Sequence, residues 1–311
     1  FCKLDSAGNT IKVLNFAGLY NLSSPVAIDD SCNYYFADRT NTNYSLAKVD
    51  SSGNILFSKI FNPSSYSSIY SMRISGSYIF TTGCTYFSSP SSCITVKSDL
   101  NGDTVWTASF GSGNYRYYGA KVIPQSNGNV IVVCQLDSSS SHISTILLKY
   151  SAQGQLLSAN DLSSSINYGI QNLDVADNEE GKLYCALRCI LNGNISLYGV
   201  AGFDSTSVLN WTDIRSNFQN DSKDIGYKII KTSSGNIIVA GQSVGSNGSE
   251  TIVVLAYDPS GNLLWKRLIH GQKDYSFPLN ITSDNQNNIM INGYQSDYRS
   301  GSRDLLFAKL D

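Results

Sequence analysis

The sequence predicts an all-β fold: a six-bladed β-propeller of four-stranded antiparallel blades, its ring closed by the N-terminal strand completing the last blade. Three observations carry this. A phrase repeats along the chain: VLAYDPSGNLLWKRLI at Val254–Ile269 returns as FCKLDSAGNTIKVLNF (Phe1–Phe16), LAKVDSSGNILFSKIF (Leu46–Phe61) and TVKSDLNGDTVWTASF (Thr95–Phe110). Looser copies stand at Leu147–Leu162 and Val200–Arg215, and a bare FAKLD (Phe307–Asp311) ends the chain. Self-similarity at a period of about 45 to 55 residues marks a propeller or solenoid. Between successive Gly-Asn turns lie short runs rich in β-branched and aromatic residues, bounded by Gly, Asn, Ser and Pro, which is the strand signature. Apart from the short, charge-rich stretch at Asn178–Lys182, no segment shows sustained helical periodicity.

The clearest unit shows each strand in turn. Asp224–Thr232 leads through Ser233-Ser234-Gly235 into Asn236–Gln242; a polar loop then leads to Glu250–Asp258, and a Pro-Ser-Gly turn to Asn262–Ile269. Three connections are hairpin-like and the fourth is long, the linkage of a blade whose outer strand returns to the next inner one. Labelling these strands A to D places the blades at about 24–61, 68–110, 117–162, 168–215, 224–269 and 276–311 of a single domain spanning 1–311. The last blade lacks a D strand, and residues 9–16 are a D-type run with nothing before them to complete. Pairing 9–16 with 307–311 would close the ring and bury two edges. Phe1–Asp5 then duplicates a strand already present, which leaves it as a surface lead-in or as a strand for a neighbouring copy.

Composition narrows the class. Of 311 residues 41% are apolar, enough for a core, while only 15% are charged and Ser, Asn, Thr, Tyr and Gly fill the gap. A net charge of −2 offers no attraction for nucleic acid or an anionic membrane. No apolar run reaches the roughly 20 residues of a membrane span. The chain begins at Phe1 rather than Met, so a removed leader is expected, or else an excerpt of a longer protein. Low charge and Ser/Tyr/Asn richness point to a secreted, extracellular protein. Seven N-x-S/T sequons are what chance gives at this composition; Asn21, Asn43, Asn194, Asn220 and Asn247 are the glycosylation candidates. The seven cysteines match no metal spacing. Cys84 and Cys93 flank a Ser/Pro loop between predicted strands, where a short disulfide is easy to form.

The phrase, best seen in LAKVDSSGNILF and VLAYDPSGNLLW, resembles the secreted repeats of PQQ-like and related bacterial-type β-propellers. The resemblance covers nearly the whole chain and concerns architecture, not activity. It implies that the D-strand aromatic wedges between blades, a place held here by Phe57, Trp106, Trp211 and Trp265, with Lys12 and Ser158 departing from the pattern. Asp5, Asp50, Asp99, Asp204 and Asp258 precede the turn, where an Asp side chain accepts local backbone N–H bonds. No D-x-D-x-D-G loop turns that row into a calcium site.

No local motif carries chemistry. There is no G-x-S-x-G, H-E-x-x-H or Walker loop, and His142 and His270 form no paired set. Carboxylates from distant blades would leave no local trace. The better-organised feature is a row of bulky residues where each long loop enters strand A: Tyr70, Tyr118, Tyr168, Ile225 and Phe277, broken in the first blade by Ser24. Tyr66, Tyr115, Tyr117 and Tyr275 cluster beside it. These aromatics are the candidate binding residues, for sugars or a protein partner. No catalytic residue, metal or cofactor is assigned. The functional expectation is a non-catalytic extracellular structural or adhesive subunit that meets copies of itself or glycans, as in a fibre. A carbohydrate-binding or carbohydrate-active propeller is the alternative, and an intracellular interaction scaffold the second.

Overall fold

The computed structural model describes residues 2–4, 9–13, 25–39, 44–61, 68–85, 90–111, 115–137, 143–166, 168–177, 181–191, 195–216, 223–245, 248–271, 275–297 and 303–310. Strands β1 (Cys2–Leu4) and β2 (Thr10–Val13) form an antiparallel hairpin. Three four-stranded antiparallel sheets follow in chain order: β3 (Val26–Ile28), β4 (Tyr34–Arg39), β5 (Tyr44–Val49) and β6 (Ile55–Phe61); β7 (Ser68–Ser75), β8 (Tyr78–Cys84), β9 (Cys93–Asp99) and β10 (Thr104–Phe110); β11 (Arg116–Pro124), β12 (Val130–Asp137), β13 (Ile143–Tyr150) and β14 (Leu156–Asp161). After the short helix α1 (Leu162–Ile166) come β15 (Gly169–Asp177), β16 (Leu183–Leu191), β17 (Ile195–Phe203) and β18 (Leu209–Arg215), then β19 (Lys223–Lys231), β20 (Ile237–Val244), β21 (Glu250–Tyr257) and β22 (Leu263–Ile269). A parallel bridge from Ser196 to Lys223 joins these two antiparallel sets into one eight-stranded sheet. Strands β23 (Tyr275–Ser283), β24 (Ile289–Ser296) and β25 (Arg303–Leu310) form the last sheet. The chain divides into two compact units, Phe1–Ser139 with Leu148–Ala159, and Ser140–Leu147 with Asn160–Asp311. No helix among the described residues is long and apolar enough to cross a membrane.

The expected completion of the last sheet by residues 9–16 is not the pairing found. Strand β2 takes β1 as its partner, with Cys2 opposite Val13, and among the described residues the β23–β25 sheet has three strands. The repeated phrase is itself a strand–turn–strand hairpin, so its N-terminal copy pairs across a few residues. Closing so short a loop sacrifices less chain entropy than reaching a partner about 300 residues away.

In the four-stranded sets the two central strands are largely buried, as in β8 and β9 or β20 and β21, while the outermost alternates between half-buried and exposed, as in β6, β10 and β22. Near-continuous Val/Ile/Leu/Ala runs fit strands covered on both faces, and alternation fits strands with one face in water. In the first unit Tyr35, Tyr44, Leu46, Ile69, Ile79 and Val96 form one core. In the second unit, Tyr198, Val239, Leu255 and Tyr257 form one core, and Ala240, Val254, Ile289 and Ile291 another.

Consecutive sheets within a unit are locked by an aromatic ring laid on a turn. A Cβ at Gly102 would lie 2.9 Å from the Phe57 ring, one at Gly154 2.7 Å from Trp106, and one at Gly261 2.5 Å from Trp211. All three glycines have positive φ, at 78°, 84° and 89°. The ring therefore needs the bare backbone that the turn already requires. Two indoles add a hydrogen bond: Trp106 Nε1 donates to Ala152 O at 3.0 Å, and Trp211 Nε1 to Pro259 O at 3.2 Å. Trp265 packs instead in the core shared with Ala308 and Leu310.

The turn aspartates act on the backbone. Asp50, Asp99, Asp204 and Asp258 each accept the N–H four residues on, from Asn54, Asp103, Val208 and Asn262, at 2.8 to 3.0 Å. Asp29 and Asp284 repeat this with Asn33 and Asn288. The Asn262 and Asn288 side-chain amides are the main reason that Asp258 and Asp284 keep carboxyl pKa values below the ordinary one; for Asp50 it is the Asn54 N–H.

Two predictions follow from the packing and the turns. Trp211→Ala should lower unfolding free energy by about 3 kcal/mol in a denaturant titration, the usual loss for a large aromatic truncated against packed neighbours. A carboxyl whose folded pKa is depressed stabilises the fold above its unfolded value, near 4, and that contribution is lost as pH falls through the folded value. Melting temperature should therefore drop on acidifying from about pH 5 to pH 2, and Asp258→Asn should flatten the slope.

Candidate functional site

Five A strands carry the same irregularity. In β7 the pairs Ile69–Gly83 and Ser71–Thr82 leave Tyr70 as an extra, unpaired residue. The corresponding residues are Ala120 in β11, Leu173 in β15, Tyr227 in β19 and Leu279 in β23. A bulge of this kind re-aims the side chain it carries and sharpens the local twist. The backbone passes very close to the facing strand there: a Cβ at Gly83 would lie 1.6 Å from Ser68 O, one at Gly241 2.1 Å from Ile225 O, and one at Gly293 2.1 Å from Phe277 O.

This register corrects the predicted aromatic row. Tyr70 is the equivalent of Tyr227, whereas Tyr118, Ile225 and Phe277 each stand two residues before the bulge, and Tyr168 stands outside both rows. Counting back from the turn misplaced Tyr70 because β7 and β8 are joined by two residues, Gly76 and Ser77, where β11 and β12 are joined by five. The two rows meet: Tyr70 lies edge-on to Tyr118 of the next sheet at 5.8 Å, and Tyr227 lies against Phe277 of the next sheet at 4.5 Å.

In the second unit that contact grows into a site. Phe277 stacks on its register partner Tyr294 at 5.4 Å and 17°, so Tyr227, Phe277 and Tyr294 form a ladder of three half-buried rings. The Arg303 guanidinium lies 5.1 Å from the Tyr294 ring. The Tyr227 hydroxyl donates to Gln242 Oε1 at 3.5 Å, and Gln242 Nε2 donates to Glu250 Oε2. Burial pushes the Glu250 carboxyl above its ordinary pKa, against the Gln242 hydrogen bond and the Lys223 charge, which pull it down. Burial likewise raises the Tyr227 phenol, opposed by the charge of Arg188, whose Nε donates to Ser196 Oγ at 2.7 Å. A flat aromatic surface, a carboxyl whose pKa burial raises, an amide and two guanidinium groups can together stack on a ring, bond its hydroxyls and transfer a proton.

Of the residues singled out from the sequence, Phe277 lies in this ladder, and Tyr275 is half-buried two residues before it at the start of β23. Tyr227, Gln242, Glu250, Tyr294 and Arg303 carried no local sequence signal; only the assembly of five strands gathers them. In the first unit Tyr115 and Tyr117 meet at 6.4 Å, and Tyr117 meets Phe110 at 5.7 Å. Tyr168 is half-buried just before β15. Tyr66, Asn21, Asn43, Asn194, Asn220 and Asn247 lie outside the described residues, as does His142. His270 is exposed, with Nδ1 3.1 Å from Thr251 Oγ1. Cys84 and Cys93 stand directly opposite each other in β8 and β9, both buried and in the thiol form. No cluster of three or more metal-ligating side chains occurs among the described residues.

No described protein family matches the sequence, and no curated protein is similar to it. Solved structures are similar in fold. A polysaccharide lyase, an ulvan lyase solved with -[GlcA(1-4)Rha3S]- bound, has a TM-score of 0.60 at 10% identity, over 92% of this chain and 78% of its own. A protein from Lactobacillus plantarum has a TM-score of 0.59 at 14% identity, over 98% and 89%. A subtype N11 neuraminidase-like protein of A/flat-faced bat/Peru has a TM-score of 0.52 at 11% identity, over 92% and 86%. These are propeller-like folds of four-stranded antiparallel sheets. The fold is all-β and β-propeller-like.

The neighbours overturn two expectations. The chain was expected to be a non-catalytic structural or adhesive subunit, and not an enzyme. The neighbours described by an activity are instead a polysaccharide lyase and neuraminidase-like proteins, which belong to carbohydrate-active propellers. The expectation rested on the lack of a local motif, whereas this architecture brings polar groups together from separate strands.

Glu250 sets a further expectation. A carboxyl with a raised folded pKa favours the fold below its unfolded value, near 4.3, and loses that contribution as pH rises through the folded one. Glu250→Gln should therefore melt above the wild type at pH 7, with the gap closing below about pH 4.

Proposed function

We propose that the chain is a carbohydrate-active protein that binds a glycan on the Tyr227–Phe277–Tyr294 ladder and uses Glu250 as proton donor to it. The observation that carries this is the junction of the aromatic ladder, through Gln242, with a carboxyl whose pKa burial raises. Pyranose rings present an apolar face to aromatic side chains and hydroxyls to amides and guanidinium groups, the mix of apolar surface and convergent polar groups that a small-molecule site requires. A general acid works best with a pKa drawn towards the working pH, and burial moves Glu250 in that direction.

The wider reading is a single extracellular domain of six blades over residues 1–311, with glycans among its partners. The repeat period supports the blade number, and low charge with abundant Ser, Tyr and Asn supports the location. The propeller-like neighbours, a lyase among them, support the carbohydrate class.

The test is a panel of neutral and acidic oligosaccharides, with binding read by calorimetry and turnover by release of reducing ends or unsaturated products. Tyr227→Ala should weaken binding about tenfold, equivalent to about 1.4 kcal/mol, while Glu250→Gln should abolish turnover with little change in affinity. Wild-type affinity in the Tyr227→Ala variant, or full turnover in Glu250→Gln, would remove the site from the reaction.

A further inference from the structure

The first unit holds a second polar and aromatic cluster, around Arg116, that the reading above does not use. Segment 115–117 is clamped to the neighbouring sheet by Ser91. Ser91 N donates to Tyr115 O at 3.2 Å, Tyr117 N donates to Ser91 O at 3.0 Å, and Ser91 Oγ donates to Tyr117 O at 3.2 Å. Arg116, at the centre of the clamp, is thus fixed by backbone bonds on both sides.

One nitrogen of its side chain lacks a hydrogen-bond partner among the described residues. Arg116 is half-buried, and that nitrogen, Nε, is buried. The ion pairs among those residues are Lys48–Asp29, Lys59–Asp103 and Arg215–Asp213, so Arg116 is in none of them. Its guanidinium lies 5.9 Å from the Tyr118 ring, and Tyr118 meets the bulge residue Tyr70 at 5.8 Å. Tyr70 and Tyr115 are 37% and 47% exposed. Asp137 stands opposite Arg116 in the β11–β12 register, and its charge acts on the Tyr118 phenol.

A buried guanidinium N–H without an acceptor is unfavourable unless something else supplies one. The planar fork of an arginine suits a carboxylate, which it meets with two parallel hydrogen bonds. The open tyrosines offer the adjoining flat surface, and Asp137 an acceptor for hydroxyls. We infer that Arg116, with Tyr70, Tyr115, Tyr118 and Asp137, forms a second glycan subsite that takes the carboxylate of an acidic sugar. Because Ser91 holds the segment in place beforehand, binding there orders little new backbone. The inference rests on the carbohydrate reading for its ligand class, but on different residues in the other unit.

The experiment compares two probes, an oligomer of galacturonate and the same oligomer fully methyl-esterified. They share rings and linkage and differ in charge. By calorimetry at low salt, the wild type should bind the acid form at least about tenfold more tightly than the ester, as expected of a charge-assisted pair. The preference should shrink as salt is raised. Arg116→Gln should bind both forms alike, and Arg116→Lys, which keeps the charge without the fork, should fall between. Tyr227→Ala and Glu250→Gln should leave the acid preference intact, so failure of the first site would not imitate failure of this one. Equal binding of the two probes by the wild type overturns the inference without any variant, as does failure of the wild type to bind the acid form. An Arg116→Gln protein with native circular dichroism and an undiminished acid preference overturns it as well.

Discussion

A flat aromatic ring seated on a turn glycine is the contact on which the rest of this structure depends. A sheet of four short strands cannot cover both of its own faces, so it must be fastened to the next one. Phe57, Trp106 and Trp211 do this by lying over Gly102, Gly154 and Gly261, where a single added carbon would collide. The arrangement links two levels at once. The turn needs a residue with positive φ, the residue that supplies it has no side chain, and that missing side chain is the space the ring fills. Asp99 and Asp258 before two of these turns, and Ser151 before the third, hold the loop in shape from the other side. One sixteen-residue phrase therefore encodes a hairpin and its fastening to a neighbour.

The bulges are the complementary device. Where the fastenings repeat a structural contact, the bulges repeat an opportunity: each pushes one residue out of register at the start of strand A. Two of the five carry tyrosine, and both tyrosines meet an aromatic of the next sheet. The scaffold cost is met by glycine on the facing strand, as at Gly83 and Gly241, where the backbones come too close for any side chain. Around Tyr227 the surroundings gained a carboxyl, an amide and two guanidinium groups; around Tyr70 they gained Arg116 and Asp137. Repetition thus supplies the positions, and the individual blades differ in the polar groups placed around them.

Much of the fold was legible in the residues because its signals are local. Strand, turn and strand lie within sixteen residues, and the Asp, Gly and aromatic of the phrase contact either each other or the next copy of the phrase. Closure at the ends was not legible. Residues 9–16 look equally fit to pair with 307–311 or with 2–4, and the shorter loop settled it. The candidate site was legible only in part. Phe277 was marked by its place after a long loop, but Glu250 opens a strand whose sequence, ETIVVLAY, reads as ordinary core. Its significance arises from Gln242 and Tyr227 on two other strands. The aromatic row slipped at Tyr70 because a two-residue turn replaced a five-residue loop, a difference that composition does not reveal.

The amino-acid sequence alone determined that this is a repeating all-β protein, which residues turn the chain and which rings fasten the sheets, because those interactions act over short spans or recur at a fixed period. Only the tertiary structure decided which strand each end would take, which tyrosines the bulges present, and that Glu250 should lie in a setting where burial raises its pKa. Those outcomes depend on distances between strands far apart in the chain, and on how much water the fold excludes around one carboxyl. Neither quantity is a property of any short stretch of residues.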